Sequence, residues 1–169
     1  IREREVFGRP DPEFNRAIRE LRNRAGAVVM LSRRNLLARY LSSQMAAQQG
    51  KYHVYEGDQI APPKPVTVDT TYAIKTFGWH DNEWKNDERT YLGLPIIRTT
   101  YESLRDEWDS ETLRLQKFIG LEPQVLLPET RKQSRFARCR DVITNLDEVC
   151  RAIRETQWAD KLDEWLEGN

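Results

Sequence analysis

Cysteine is nearly absent from this chain: two in 169 residues, Cys139 and Cys150, close together on what reads as one helix. That excludes a disulfide framework and favours a reducing compartment, so the protein is expected in the cytoplasm. Histidine is as scarce, His53 and His80 alone with no repeat spacing, and no metal is expected. No stretch approaches the roughly 18 consecutive apolar residues that cross a bilayer. The opening IREREVFGRP has no apolar signal-peptide core, and no membrane span is expected. Net charge is missing too: 27 basic and 27 acidic side chains cancel, unlike the strongly basic domains that hold nucleic acid. A complete Walker loop is also lacking, because at the only Gly-Lys pair, Gly50-Lys51, Met45 stands where that motif requires glycine. With no internal repeat and no low-complexity tract, residues 1–169 read as a single domain.

The charges that cancel in sum are unevenly placed. Residues 1–40 hold ten arginines against five acids, 131–140 hold five basic residues and no acid, and 141 onward holds eight acids against three basic residues. Two basic patches offset by an acidic tail suit a small anionic ligand better than a polyanion.

Apolar spacing supplies the elements. Phe14, Ile18 and Leu21 predict a helix over 12–25 ended by Gly26. AVVML, 27–31, predicts a strand covered on both faces. Leu36, Leu37, Tyr40, Leu41 and Met45 predict a helix ending at Gly50, so helix, strand and helix follow in α/β order. The proline-rich 51–66 reads as loop, and Asp69 or Thr70 caps a helix running toward Tyr91. LPIIRTTY predicts a second strand ending at Tyr101-Glu102, and Ser110 a capped helix with Leu113, Phe118 and Ile119 inward and Gly120 as its stop. Val142, Ile143, Leu146, Val149 and Ile153 mark a late helix, and Trp158, Leu162, Trp165 and Leu166 a terminal one.

Chemistry concentrates in VVMLSRRNLLARYLSS, residues 28–43. Here an apolar strand runs into Arg33, Arg34 and Asn35 at a helix mouth, where the backbone is already electropositive, so an anion is needed between the arginines. Ser42 lies eight residues after Arg34, about 12 Å along the helix axis and turned by roughly 80°. A long guanidinium reaches along that face while a hydroxyl stays put, so an anion is expected beside the second turn, held by Ser42 and reached by Arg34. Arginine meets phosphate with a two-pronged fork and serine adds a neutral donor. A one-residue shift of the helix puts Ser43 in that role. His80 in GWHDNEW reads as a loop or acceptor-side residue, Glu102 as a structural carboxylate bonding the turn after its strand, and Trp79 and Trp84 as core or sugar-stacking rings.

The strand, then Arg-Asn, then Ser eight residues after the Arg resembles the pattern with which sulfotransferases hold the 3′-phosphate of 3′-phosphoadenosine 5′-phosphosulfate (PAPS). MLSRRNLLARYLSS is similar to the bacterial carbohydrate and nodulation-factor branch of that family. TTYESL resembles its strand and Tyr-Glu-Asp-Leu turn, LRLQKFIGLEP its following helix, and TRKQSRFARCRDVITNLDEV its late basic segment. The resemblance spans roughly residues 27–150. It implies a three-layer α/β fold with a parallel sheet, the P-loop-like sulfotransferase fold. It also implies a sulfuryl transfer from PAPS, as co-substrate, to a hydroxyl acceptor of carbohydrate or glycolipid type. By the same analogy Arg34 and Ser42 bind the 3′-phosphate, and Lys132, with Arg131 and Arg135, closes over it. The family's 5′-phosphosulfate loop is not present, so the chain, which opens at Ile1 inside a charged stretch, is expected to be the C-terminal part of such an enzyme, without its first βα unit. The rival readings are a non-catalytic module that keeps the nucleotide site and an interaction domain using its terminal helix.

Overall fold

A computed structural model describes residues 16, 20, 23–50, 54–55, 62, 64–128, 130–131 and 136–168, with only the backbone described at 54–55, 87–88 and 130–131. Residues 16, 20, 23 and 24 are helical; the rest of the helix expected over 12–25 lies outside the described residues.

Strand β1 is Val28–Ser32 and helix α1 is Leu36–Gln49. Its apolar stripe is the one the spacing predicts, with Leu36, Leu37, Tyr40, Leu41 and Met45 all buried. It stops at Gly50, whose φ of 64° lets its N–H turn back onto the Ala46 and Ala47 carbonyls, a left-handed cap that glycine adopts without steric cost. The segment expected to be loop contains a two-residue strand, β2, Val54–Tyr55. It pairs antiparallel with β4, Thr130–Arg131, a long-range pairing that local spacing does not encode.

Helix α2, Thr70–Thr90, is capped by the Asp69 side chain, which accepts the Tyr72 N–H at 2.9 Å. Strand β3, Ile96–Thr100, stops before Tyr101, and Tyr101–Asp106 is the short helix α3 rather than the end of the strand. The reason is local: the Thr100 hydroxyl accepts the Ser103 N–H at 3.0 Å and starts the helix there. Helix α4, Trp108–Phe118, also departs from expectation. Glu107 rather than Ser110 stands at its cap, and the buried positions are Glu111, Thr112 and Gln116 while Ile119 is exposed. Polar residues turn inward because each finds a partner. The Glu111 carboxylate accepts from Thr99 Oγ1 and from Arg114, and Gln116 bonds both backbone groups of Gln124.

A 3₁₀ turn, Cys139–Val142, precedes α5, Leu146–Arg154, so the two cysteines sit on separate elements; both are free thiols. A second 3₁₀ turn, Ala159–Lys161, leads into α6, Leu162–Glu167.

The described residues form a mixed α/β structure around two two-stranded sheets. β1 and β3 pair in parallel from Val28–Ile96 to Ser32–Thr100, with α1 and α2 in the crossover between them. The main core lies among α1, α2, α5 and α6, which bury Leu37, Leu41, Phe77, Ile153, Leu162 and Trp165. Phe77 meets Trp158 and Trp165 edge-on at 5.6 and 5.4 Å, the arrangement ring quadrupoles favour. The expectation that β1 is covered on both faces does not hold among the described residues: Met30 is buried, but Val29 and Leu31 are 41% and 57% exposed. Among these residues no helix is long and apolar enough to cross a membrane.

Candidate functional site

The turn between β1 and α1 carries Arg33, Arg34 and Asn35, and each side chain has a separate task. Asn35 is buried and caps α1: its Oδ1 accepts the Ala38 N–H at 2.8 Å while its Nδ2 donates to the Trp165 carbonyl of α6 at 2.9 Å. One side chain thus starts the helix and ties it to the end of the chain.

The anion demanded by two arginines at a helix mouth is present inside the protein. Glu102, buried at the start of α3, accepts the backbone N–H groups of Arg34 and Asn35, each at 3.1 Å. Its oxygens also lie 4.0 Å from Arg33 Nε and 3.9 Å from Arg34 Nε. Glu102 is therefore a structural carboxylate, and the turn it bonds follows the neighbouring strand β1 rather than its own β3. The parallel register that ends both strands together, Ser32 beside Thr100, brings it there.

Arg33, not Arg34, meets the serine. Its Nη1 donates to Ser42 Oγ at 3.3 Å, and its guanidinium lies over the Tyr101 ring at 4.5 Å. The Arg33 side chain is 13% exposed, and its Nε and Nη2 are buried without a hydrogen-bond partner. The Arg34 side chain is 61% exposed and stands beside Glu102. Arg34 pairs with Ser42 only on an ideal helix that begins at the arginine. Here the helix begins at Leu36, so the extended link lets Arg33 fold back along it. Ser43 does not substitute for Ser42, since its hydroxyl back-bonds to the Arg39 carbonyl at 3.1 Å. Lys132 and Arg135 lie outside the described residues, and of Arg131 only the backbone, in β4, is described.

Arg33 and Arg34 open onto a cleft of about 840 Å³ between the end of β1, α2 and the terminal segment. His80, Glu83 and Trp84 line it from α2, and Trp158, Lys161 and Glu164 from the terminal segment. His80 thus sits in a helix, not a loop. The Trp79 ring packs against it, 4.6 Å between centroids, while Trp84 faces the cleft. Asp81 is held by Trp158 Nε1 and Gln157 Nε2, both at 3.2 Å, which pins the terminal segment to α2.

Arg39, a residue the motif reasoning passed over, lines the same cleft from α1. It lies three residues before Ser42, close to one turn of helix, and that spacing is the signal that could have found it. Burial presses the pKa values of Arg33 and Arg39 below the usual guanidinium value, and Arg33 adds to the depression at Arg39. Burial first, and then the Arg39 charge, push the His80 pKa down to about 4, so the imidazole is neutral at physiological pH. Four basic and four acidic side chains line the cleft, and Glu83 opposes the lowering at Arg39, so what the site offers an oxyanion is the unmet donors of Arg33 rather than a net charge. Compared with family models, with curated proteins and with solved structures, the chain matches none.

Proposed function

We propose that this chain carries the 3′-phosphate grip of a PAPS-dependent sulfotransferase, within a larger parallel sheet of the P-loop-like kind. The single observation that carries the reading is the buried Arg33 guanidinium bonded to Ser42 at the exit of β1, with Arg34 beside it and two of the Arg33 nitrogens unpartnered. The parallel β1–β3 pair joined by a helical crossover supports it, as does the order of strand, arginine pair and serine in the sequence.

In the reaction, an acceptor hydroxyl oxygen bonds to sulfur as the bond from sulfur to the 5′-phosphate oxygen breaks. A base takes the hydroxyl proton, and adenosine 3′,5′-bisphosphate leaves. Such a transfer depends on alignment and on positive groups at the leaving phosphate. The residues at this site act by holding the nucleotide at its far end, so that binding energy there positions the sulfuryl group. Arg33, locked by Ser42, Tyr101 and the Glu102 carboxylate, gives one fixed prong; Arg34, with its side chain in solvent, is free to close as a second. The acceptor is a hydroxyl compound of carbohydrate type.

Titration calorimetry with adenosine 3′,5′-bisphosphate tests the reading. Binding by the wild type is expected, and Arg34→Ala and Ser42→Ala are each expected to weaken it by about tenfold or more, the worth of one charge-assisted hydrogen bond. Absence of binding by the wild type overturns the proposal. Binding without sulfuryl transfer to any hydroxyl acceptor by the full-length protein selects the non-catalytic module instead.

A further inference from the structure

Three nitrogen-bearing side chains from three elements face one cleft: Arg33 after β1, Arg39 on α1 and His80 on α2. Arg33 Nε and Nη2 and His80 Nδ1 are buried and without a hydrogen-bond partner. Burying such donors and acceptors unpaired is costly, and a native site retains them where a ligand completes them. The neighbouring carboxylates do not complete them. Glu102 is committed to two backbone amides, and its approach to Arg33 Nε is 4.0 Å. Glu83 Oε2 stands 3.8 Å from His80 Nδ1, beyond hydrogen-bond reach.

We infer that Arg39 and His80 join Arg33 in one receptacle for a doubly charged tetrahedral oxyanion, in which Arg39 is the specificity residue that prefers a phosphomonoester to a bare hydroxyl. The inference rests on the function proposed above in one respect only, that the oxyanion is the 3′-phosphate of the nucleotide. Two guanidiniums, each with a carboxylate acting on it (Glu102 on Arg33, Glu83 on Arg39), supply fork-shaped donors to a phosphomonoester, and a neutral imidazole adds a donor or, once protonated, a further charge. A hydroxyl in the same place leaves Arg33 Nε and Nη2 without an acceptor for both, so discrimination comes from the cost of those unmet donors.

His80 reports occupancy. The groups that face it or share its cleft are Glu83 and Asp81 on its own helix, Arg39 from α1, and Asp160, Lys161 and Glu164 from the terminal segment. An oxyanion seated between Arg39 and His80 offsets the Arg39 field and stabilises the imidazolium.

The test follows the His80 imidazole resonance of the wild-type protein against pH, assigned with His80→Gln to separate it from His53, in the absence and presence of sulfate, doubly charged throughout, or of inorganic phosphate, singly charged around that midpoint. The midpoint is expected to rise from about 4 by about one pH unit or more at saturation. In Arg39→Gln it is expected to start higher and to stay still when the anion is added. Calorimetry supplies the second arm. Arg39→Gln is expected to lose about tenfold or more in affinity for adenosine 3′,5′-bisphosphate, with no change for adenosine 5′-monophosphate, and Arg39→Lys to recover part of the loss. A midpoint unmoved by either anion, with bisphosphate binding intact in Arg39→Gln, overturns this inference and leaves the nucleotide reading standing. A midpoint that moves with phosphate while the wild type shows no preference for the bisphosphate keeps the receptacle and removes the nucleotide from it.

Discussion

Asn35 and Glu102 show how few atoms hold the turn that presents the arginines. Asn35 uses both ends of its amide, the oxygen on the Ala38 N–H and the nitrogen on the Trp165 carbonyl. Asn35→Ala removes a cap worth about 1 kcal/mol and leaves a buried carbonyl unpaired at about 1–3 kcal/mol, so a loss of about 2–4 kcal/mol is expected in urea unfolding. Asn35→Asp keeps the cap acceptor but faces an anion to that carbonyl. If the bond to α6 matters, this variant is destabilised as well; if only the cap matters, it matches the wild type. The cap itself is readable from Asn-Leu-Leu at the helix mouth, whereas its partner is 130 residues away and belongs to the tertiary structure. The two arginines divide in the same way. The sequence places both at the mouth, but which one folds under Tyr101 onto Ser42 depends on where the helix begins and on the carboxylate arriving from β3.

Among the elements, α1 follows its apolar spacing from Leu36 to Gly50, and α4 does not. Its inward face is polar because it packs on β3 through Glu111, held bidentately by Arg114 at 2.6 and 2.7 Å and bonded by the Thr99 hydroxyl. Spacing rules count apolar residues and so miss a carboxylate held inward by Arg114 of its own helix and Thr99 of β3. The Arg114 hydrogen bonds, and after them that of Thr99, hold the Glu111 carboxyl at about 2 against an ordinary 4.5. A depressed carboxyl contributes stability that is fully present above about 4.5 and is lost as pH falls through about 2. In Glu111→Gln the stability of the protein is expected to fall less steeply with acid across that window than in the wild type. Urea midpoints measured at intervals from pH 6 to about 2 compare the two slopes; parallel curves remove Glu111 from the acid response.

For the molecule as a whole, the end of the chain closes the core. Trp165 is 2% exposed, lies edge-on to Phe77 at 5.4 Å and lines the cleft from behind. Trp165→Ala is expected to cost about 3–5 kcal/mol and to loosen α1 and α2 along with α6, since all three meet at that ring. Hydrogen exchange of the α1 amides is the readout: faster exchange across α1 supports one cooperative core, and unchanged exchange there separates α6 from it. The apolar stripe of α1, Val149 and Ile153 of α5, Leu162, Trp165 and Leu166 of α6 and the two strand-like runs were legible from residue order, because periodicity is a local property and burial enforces it, whereas Val142, Ile143 and Trp158 lie before those helices rather than on them. A parallel sheet and a structural carboxylate at Glu102 were expected as well; the register of β1 on β3, the β2–β4 contact, the turn that Glu102 bonds and the identity of the arginine at Ser42 were not legible. All but the last join residues far apart in the chain, and the last depends on where α1 begins; the partner that satisfies a buried charge or amide exists only after the elements have packed.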